Sequence, residues 1–374
     1  MGGINYMNNT ISLCLIAKNE ESRLPKLLDS LEIGKVGSPI DEVIVVDTGS
    51  NDKTKEIAKN YGDIVKVYDF KWIDNFAAAR NYSFSKGTES WLFWLDCDDI
   101  LKEDQLQKLK NIKNTLLNDE NIKIISMIYD YGFDSSGEPT LSFERNRLVR
   151  NGIGCKWVGC IHEYVDTAGY AAYKSDIRVS HTRVHSNGTR NLDIFRAMIT
   201  KGEILNDRDN YYYGKELYYN GLNDEAEGVL LSVLDRYNWF EEKLQAIIAL
   251  ADIYKMRKDW LSERNICYRS FEYDIPRSEF LYRIGDSYFN ENKYKLALYW
   301  YNLAATTPIP EDAGYLNKEY YTWLPHLQMC LCYYKLGNSK KAEEHNLIAH
   351  KYHPTHPSII SNIKFFNKLK NKQL

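Results

Sequence analysis

Three carboxylates, Asp96, Asp98 and Asp99, follow directly on an apolar run in WLFWLDCDDI, residues 91–100. Carboxylates this close repel one another and raise each other's pKa unless a positive charge sits among them. The pattern therefore asks for a cation. Two aspartates at i and i+2, leaving a strand, can offer oxygens to a hard divalent ion such as Mg²⁺ or Mn²⁺. A cation held by so few protein groups keeps positions open for a diphosphate. A bare D-x-D is common in solvated loops, so the weight of this one depends on where the chain places it.

Its placement follows from the flanking elements. ISLCLIA (11–17), EVIVVD (42–47), IVKVYDF (64–70), WLFWLD (91–96) and IKIISMIYD (122–130) read as strands, short, apolar and rich in β-branched residues. The stretches 20–33, 51–62, 75–87 and 102–117 between them have helical spacing of apolar positions or helix-ending glycines. Such alternation predicts parallel strands with helices on both faces. Ligands of such sheets bind outside the carboxyl ends of the strands. Lys18, Asn19 and Glu20 follow the first strand there, Asp47 ends the second, and Asp96 ends the fourth.

From about residue 205 the chain turns helical and self-similar. A small residue, an apolar or aromatic residue three later and alanine twelve later recur as Gly214, Leu217, Ala226, as Gly285, Tyr288, Ala297, and as Cys330, Tyr333, Ala342. Ala251 and Tyr254 begin the same pattern, but Glu263 stands where alanine is expected. The offset from Ala251 to Gly285 is 34 residues, the period of tetratricopeptide repeats. The longer step of 45 from Gly285 to Cys330 implies an insertion within TTPIPEDAGYLNKEYYTW. Stacked units of this kind form a solenoid, which can hold a partner or join two copies of a chain.

The totals narrow the class. Lys and Arg (48) nearly cancel Asp and Glu (51), so the net charge of −3 carries no footprint of nucleic-acid binding. Seven scattered cysteines fit reduced thiols and a cytoplasmic location better than a disulfide framework. No apolar run is long enough for a transmembrane helix, and the start, MGGINYMNNT, lacks the features of a secretory signal. Cys155, Cys160 and His162 lack a fourth ligand nearby and the spacing of a zinc finger.

ISLCLIAKNEE, VIVVDTGSNDKT, FKWIDNFAAARN and WLFWLDCDD, in that order, resemble family 2 glycosyltransferases of the GT-A fold. GCKWVGCIHEYV (154–165) and VSHTRVHSNGTRN (179–191), followed by repeats, are similar to the branch that includes bacteriocin-peptide S-glycosyltransferases. The resemblance implies a GT-A catalytic domain over 8–200, with a mixed sheet flanked by helices, and an all-α repeat domain over 205–370. It implies an inverting transfer of a hexose from a nucleotide-sugar, by default a UDP-hexose such as UDP-glucose, aided by Mn²⁺ or Mg²⁺. The acceptor would be a peptide, a protein side chain or a glycan. Carried onto this chain, Ala17, Lys18, Asn19, Glu20 and Asp47 would hold the nucleoside. Asp74, Arg80 and Asn81 would line the donor pocket, with Arg80 offering its fork to base or phosphate. Asp96 would meet the ribose or the metal, Asp98 would bind the metal, and His181, or in its place His185, would be a further ligand. Glu163 would be the general base, with Asp99 as the alternative. The usual second acid after the base is absent, since Tyr164 follows Glu163. A catalytically inactive scaffold working through its repeats is the competing reading.

Overall fold

The computed structural model describes residues 9–133, 137–182, 188–310 and 316–373. His185 lies outside them. The chain divides into two compact units, residues 1–186 and 187–374.

In the first unit, β1 (Ile11–Ala17), β2 (Glu42–Asp47), β3 (Val65–Asp69) and β4 (Trp91–Trp94) run parallel in the order β3–β2–β1–β4. Helices α1 (Leu24–Ser30), α2 (Thr54–Lys59) and α3 (Phe76–Lys86) connect them. Side chains alternate between two cores. Leu13, Leu15, Val43, Val45, Trp91 and Phe93 join Leu24, Leu27 and Leu28 of α1. Cys14, Ile44, Val46, Leu92 and Trp94 join Ala77 and Phe84 of α3. Burial on both faces explains why these strands read as continuous apolar runs.

Past β4 the sheet is no longer all parallel. The chain continues through β5 (Asp99–Ile100), α4 (Glu103–Thr115), β6 (Ile124–Phe133), β7 (Pro139–Arg150) and β10 (Ala172–His181). Strand β7 lies antiparallel between β4 and β6, while β10 is parallel to β6 and antiparallel to β5. The connection between β6 and β7 is too short for the crossover that a parallel pair requires. The mixed sheet flanked by helices is therefore the observed class, and purely parallel pairing holds only for β1 to β4. Strands β8 (Lys156–Val158) and β9 (Tyr164–Asp166) form a separate hairpin.

The second unit is helical: α5 (Arg190–Thr200), α6 (Asp207–Tyr219), α7 (Asn223–Arg236), α8 (Phe240–Met256), α9 (Trp260–Arg269), α10 (Ser278–Asn290), α11 (Tyr294–Thr306), α12 (Trp323–Lys335), α13 (Ser339–Tyr352) and α14 (Pro357–Gln373). Helix α5 groups with this unit, ahead of the expected repeat start at 205. Successive helices from α5 to α14 pack in pairs, except for the looser step across the α5–α6 turn, as stacked helical hairpins do. The recurring small residues mark crossings. A Cβ at Gly214 would stand 2.6 Å from Leu230 Cδ2, and one at Gly285 would stand 2.9 Å from the Tyr301 ring.

Glu263, at the alanine position of α9, is fully buried, and neither carboxylate oxygen has a hydrogen-bond partner among the described residues. Burial, then the charge of Asp286, pushes its carboxyl up from 4.5 to about 7. The folded state thus binds the proton more tightly than the unfolded chain. This favours folding fully below pH 4.5, and the benefit is lost as pH rises through about 7. Glu263→Gln is therefore expected to stabilise the protein by about 1–3 kcal/mol at pH 8 and by little at pH 5. Urea unfolding at the two pH values measures the difference, and an equal effect at both would contradict the assignment.

Candidate active site

The carboxyl ends of β1, β2 and β4 converge as the strand order requires. Thr48 donates its amide to the Ala17 carbonyl (2.9 Å), locking the exits of β1 and β2 together. Asn19 adopts φ +57°. Its amide donates to Ser50 Oγ and its side-chain oxygen accepts from the Asn51 amide, both at 2.9 Å. Glu20 donates its amide to Thr54 Oγ1 (2.7 Å), and its carboxylate pairs with Arg23 (2.9 Å). Lys18 is exposed at this rim. Asp47 is 1% exposed, and its Oδ1 accepts from the amides of Gly49 (3.0 Å) and Ser50 (2.9 Å). Its Oδ2 has no hydrogen-bond partner among the described residues, which leaves an acceptor for a ligand N–H or O–H group.

Arg80 stands at the centre of the site. Its Nη2 donates to Asp96 Oδ1 (2.6 Å) and its Nε to Glu163 Oε1 (2.5 Å). The guanidinium packs against the rings of Trp94 (5.1 Å) and Trp157 (4.7 Å). Burial works against its charge, but Asp96 and then Glu163 outweigh burial and hold the guanidinium more firmly protonated than usual. Burial likewise pushes the Asp96 carboxyl up, yet Arg80 and Arg147 more than offset it, so Asp96 lies below the usual carboxylate range. The forked guanidinium expected to meet base or phosphate is thus engaged by two carboxylates of the protein.

The motif that carries Arg80 also holds Glu163 in place. Glu163 ends the loop between β8 and β9, after His162 at φ +51°. Asn75 caps α3 by accepting from the Ala78 amide (2.8 Å) and donates to Cys160 Sγ (3.3 Å). The Phe76 amide donates to the Cys160 carbonyl (2.8 Å). Asn81 donates to the Trp157 carbonyl (2.9 Å) and accepts from the Trp157 amide (2.8 Å), as a neighbouring strand would. Asn81 therefore fastens the β8–β9 hairpin to α3, where the family resemblance had it lining the donor pocket. Asp74 is exposed, at φ +55°, and accepts from Trp72 Nε1 (2.8 Å).

Asp98, Asp99 and His181 bring ligand atoms within 4.8 Å of one another. The pairing of β10 with β5 sets His181 opposite Asp99. Asp98 is clasped through its carbonyl, which accepts from the Thr182 amide (2.9 Å) and hydroxyl (2.7 Å). Burial, then the charge of Asp96, pushes the Asp98 carboxyl up. An added cation would reverse that penalty. Asp99 is a correction to the expectation. It has no exposed surface and its oxygens are taken by Arg147 Nη1 (3.0 Å), the Asp96 amide (2.9 Å) and the Tyr129 hydroxyl (2.8 Å). A carboxylate so enclosed cannot reach an acceptor's proton, so Asp99 is not the alternative base.

Sequence reasoning missed Arg147 and Tyr129. Arg147 is wholly buried on β7, 3.9 Å from the Trp94 ring centre. The signal was present in RLVR (147–150), since an arginine inside a strand of apolar residues requires a buried partner.

Residues 12–153 match the model of Glycosyl transferase family 2. Asp47, Arg80, Asp96, Asp98 and Asp99 lie inside that span, and Glu163 and His181 lie beyond it. The chain is 23% identical over 266 residues to the SPbeta prophage-derived glycosyltransferase SunS of Bacillus subtilis, an alignment covering 67% of this chain. It spans about 60% of the length of that relative. It is 31% identical over 163 residues to a TPR repeat-containing protein of Synechococcus elongatus, covering 42% of this chain and 35% of that one. Among solved structures it is similar in part to glucosyl-3-phosphoglycerate synthase from Mycobacterium tuberculosis, in complex with Mn²⁺, UDP and phosphoglyceric acid. That likeness covers 32% of this chain and 43% of the other, at 26% identity and a TM-score of 0.27. The motifs, the mixed sheet and the acidic turn after β4 thus lie in or beside the stretch that matches Glycosyl transferase family 2, residues 12–153, and a helical unit similar to tetratricopeptide repeats follows.

Proposed function

We propose that the chain is an inverting, metal-dependent glycosyltransferase that moves a hexose from a UDP-sugar to a peptide, protein or glycan acceptor. The observation that carries the reading is the joining of Asp96 and Glu163 by one arginine, which sets a hairpin carboxylate beside the acidic turn. The family match and the SunS relative support a glycosyl-transfer chemistry. Asp47, with its open Oδ2, and the rim residues Lys18, Asn19 and Glu20 would receive the nucleoside. The donor set also suits a hard divalent cation. Asp99 is committed to Arg147, so Asp98 and His181, with Asp96 beside them, would hold the ion. When bound, the ion neutralises the departing diphosphate.

Glu163 takes the proton of the acceptor hydroxyl or thiol as the acceptor's lone pair forms the new bond to the sugar carbon. The bond from that carbon to the diphosphate oxygen breaks, and the configuration inverts. Arg80, clamped between Trp94 and Trp157, keeps Glu163 oriented for this step. The repeats would present the acceptor or join two copies of the chain. No helix among the described residues is long and apolar enough to cross a membrane.

The test is incubation of the full chain with UDP-glucose, other UDP-hexoses and Mn²⁺, read by sugar hydrolysis or transfer and by calorimetry. Metal-dependent binding of at least one donor, with slow hydrolysis, is expected. If no donor binds and none is hydrolysed, the scaffold reading takes its place.

A further inference from the structure

The carboxylate at the heart of the acidic cluster sits behind the cation site. Asp99 Oδ2 accepts from Arg147 Nη1 (3.0 Å) and from the Asp96 amide (2.9 Å), and Oδ1 accepts from the Tyr129 hydroxyl (2.8 Å). A guanidinium can only donate, so Asp99 Oδ2 is the acceptor in its bond with Arg147. Arg147 Nη1 also donates to the Trp94 carbonyl (3.5 Å). Its Nε and Nη2 find no hydrogen-bond partner among the described residues, and the guanidinium lies against the faces of Trp94 (3.9 Å) and Tyr129 (4.5 Å).

The Tyr129 hydroxyl carries a single hydrogen, and Asp99 receives it. The same hydroxyl oxygen lies 2.7 Å from His181 Nδ1. With no second hydrogen to give, the hydroxyl must accept there, so Nδ1 carries the hydrogen of the imidazole. The surroundings agree. Nδ1 stands 3.7 Å from an oxygen of Asp98 and 3.7 Å from one of Asp99, a negative field that favours N–H at that atom. A neutral imidazole protonated at Nδ1 has its lone pair on Nε2. Tyr131 stacks on the ring at 5.0 Å and 14°, which fixes the plane in which that lone pair points.

We infer that Tyr129, backed by Asp99 and Arg147, is the positioning residue of the cation site, holding His181 in the tautomer whose Nε2 can bind a metal. The inference rests on the metal-dependent reading above. Histidine ligands commonly donate their other N–H to a carboxylate, and here a tyrosine hydroxyl relays that bond. The relay also ties together two distant parts of the chain. Through Asp99 it reaches the turn that bears Asp96 and Asp98, and through His181 it reaches the end of β10.

Two measurements test it. First, Mn²⁺ binding in the presence of UDP is followed by the electron paramagnetic resonance of free Mn²⁺, for the wild type and Tyr129→Phe. The variant removes one hydroxyl and keeps the ring. It is expected to bind Mn²⁺ about 10- to 100-fold more weakly while melting as one cooperative unit. Second, the metal-free wild type, ¹⁵N-labelled at histidine, is examined by long-range ¹H–¹⁵N correlation at pH 8. His181, identified by its loss in His181→Gln, is expected to carry its hydrogen on Nδ1. Equal Mn²⁺ affinity in Tyr129→Phe, or a hydrogen on Nε2, overturns the inference. If Tyr129→Phe fails to fold, the tautomer in the wild type decides. A wild type that takes up no Mn²⁺ with UDP overturns the metal-dependent reading itself, which the tautomer measurement does not touch.

Discussion

Glu163→Gln is expected to leave the UDP-sugar bound and to stop its transfer. The amide keeps the shape of the side chain and can still accept from Arg80 Nε, so the β8–β9 hairpin and its ties through Asn75, Phe76 and Asn81 remain. What is lost is the ability to take a proton, a contribution of about 10²- to 10⁴-fold in rate. The expected signature is a fall in kcat of that size, with donor affinity within about threefold of the wild type, since Glu163 is held by Arg80 while Asp47 is held by the Gly49 and Ser50 amides. Calorimetry with UDP and a transfer assay separate the two quantities. Full rate in Glu163→Gln would mean that another group accepts the proton. Asp99 is already excluded from that role by its enclosure.

Asp98→Ala has the complementary outcome. Here the donor is expected to be lost before chemistry begins. Asp98 retains some exposed surface where Asp99 has none, and it lies in the acidic cluster with His181. Burial and Asp96 raise its pKa, so the metal-free carboxyl holds its proton more tightly than an ordinary aspartate. Metal binding must displace that proton, and affinity for Mn²⁺ should rise with pH as the carboxylate forms. In Asp98→Ala, Mn²⁺-dependent UDP binding is expected to weaken by about 100-fold or more, several kcal/mol of lost charge stabilisation. Binding measured without metal should change little. A variant that still gains affinity for UDP on adding Mn²⁺ would show that the ion is held elsewhere.

How far the sequence alone could be read depended on whether a residue's type betrays its partner. Strands β1 to β4 were legible because burial on both faces leaves uninterrupted apolar runs. The switch to antiparallel pairing at β7 was not, because half-exposed strands such as β7 and β10 have weaker patterns. The positions of Asp47 and Asp96 at the carboxyl ends of buried strands were legible because an acid closing an apolar run marks where the strand leaves the core. Asn81 was assigned to a ligand, and it binds the backbone of Trp157 instead. An asparagine looks the same in either role, and only the fold decides. Arg80 was found, but both its carboxylate partners lie far from it in sequence, 16 and 83 residues away. Asp99 could be separated from Asp98 only once Arg147 and Tyr129 were seen to enclose it.

Glu263 bears on how the repeat unit comes apart. In a linear array of helical hairpins, each joint has its own strength, and unfolding starts where neighbours hold each other least. An ionised Glu263, repelled by Asp286 of α10, weakens the contacts of α9 with α8 and α10, whereas Gly214 of α6 and Cys330 of α12 belong to other joints. Alkaline conditions therefore select the breaking point of the array. Amide exchange should become fastest relative to neighbouring helices in α9 as pH passes neutrality, once the intrinsic pH dependence of exchange is removed. The helical unit would then open from its interior, where a uniform array would fray from its ends.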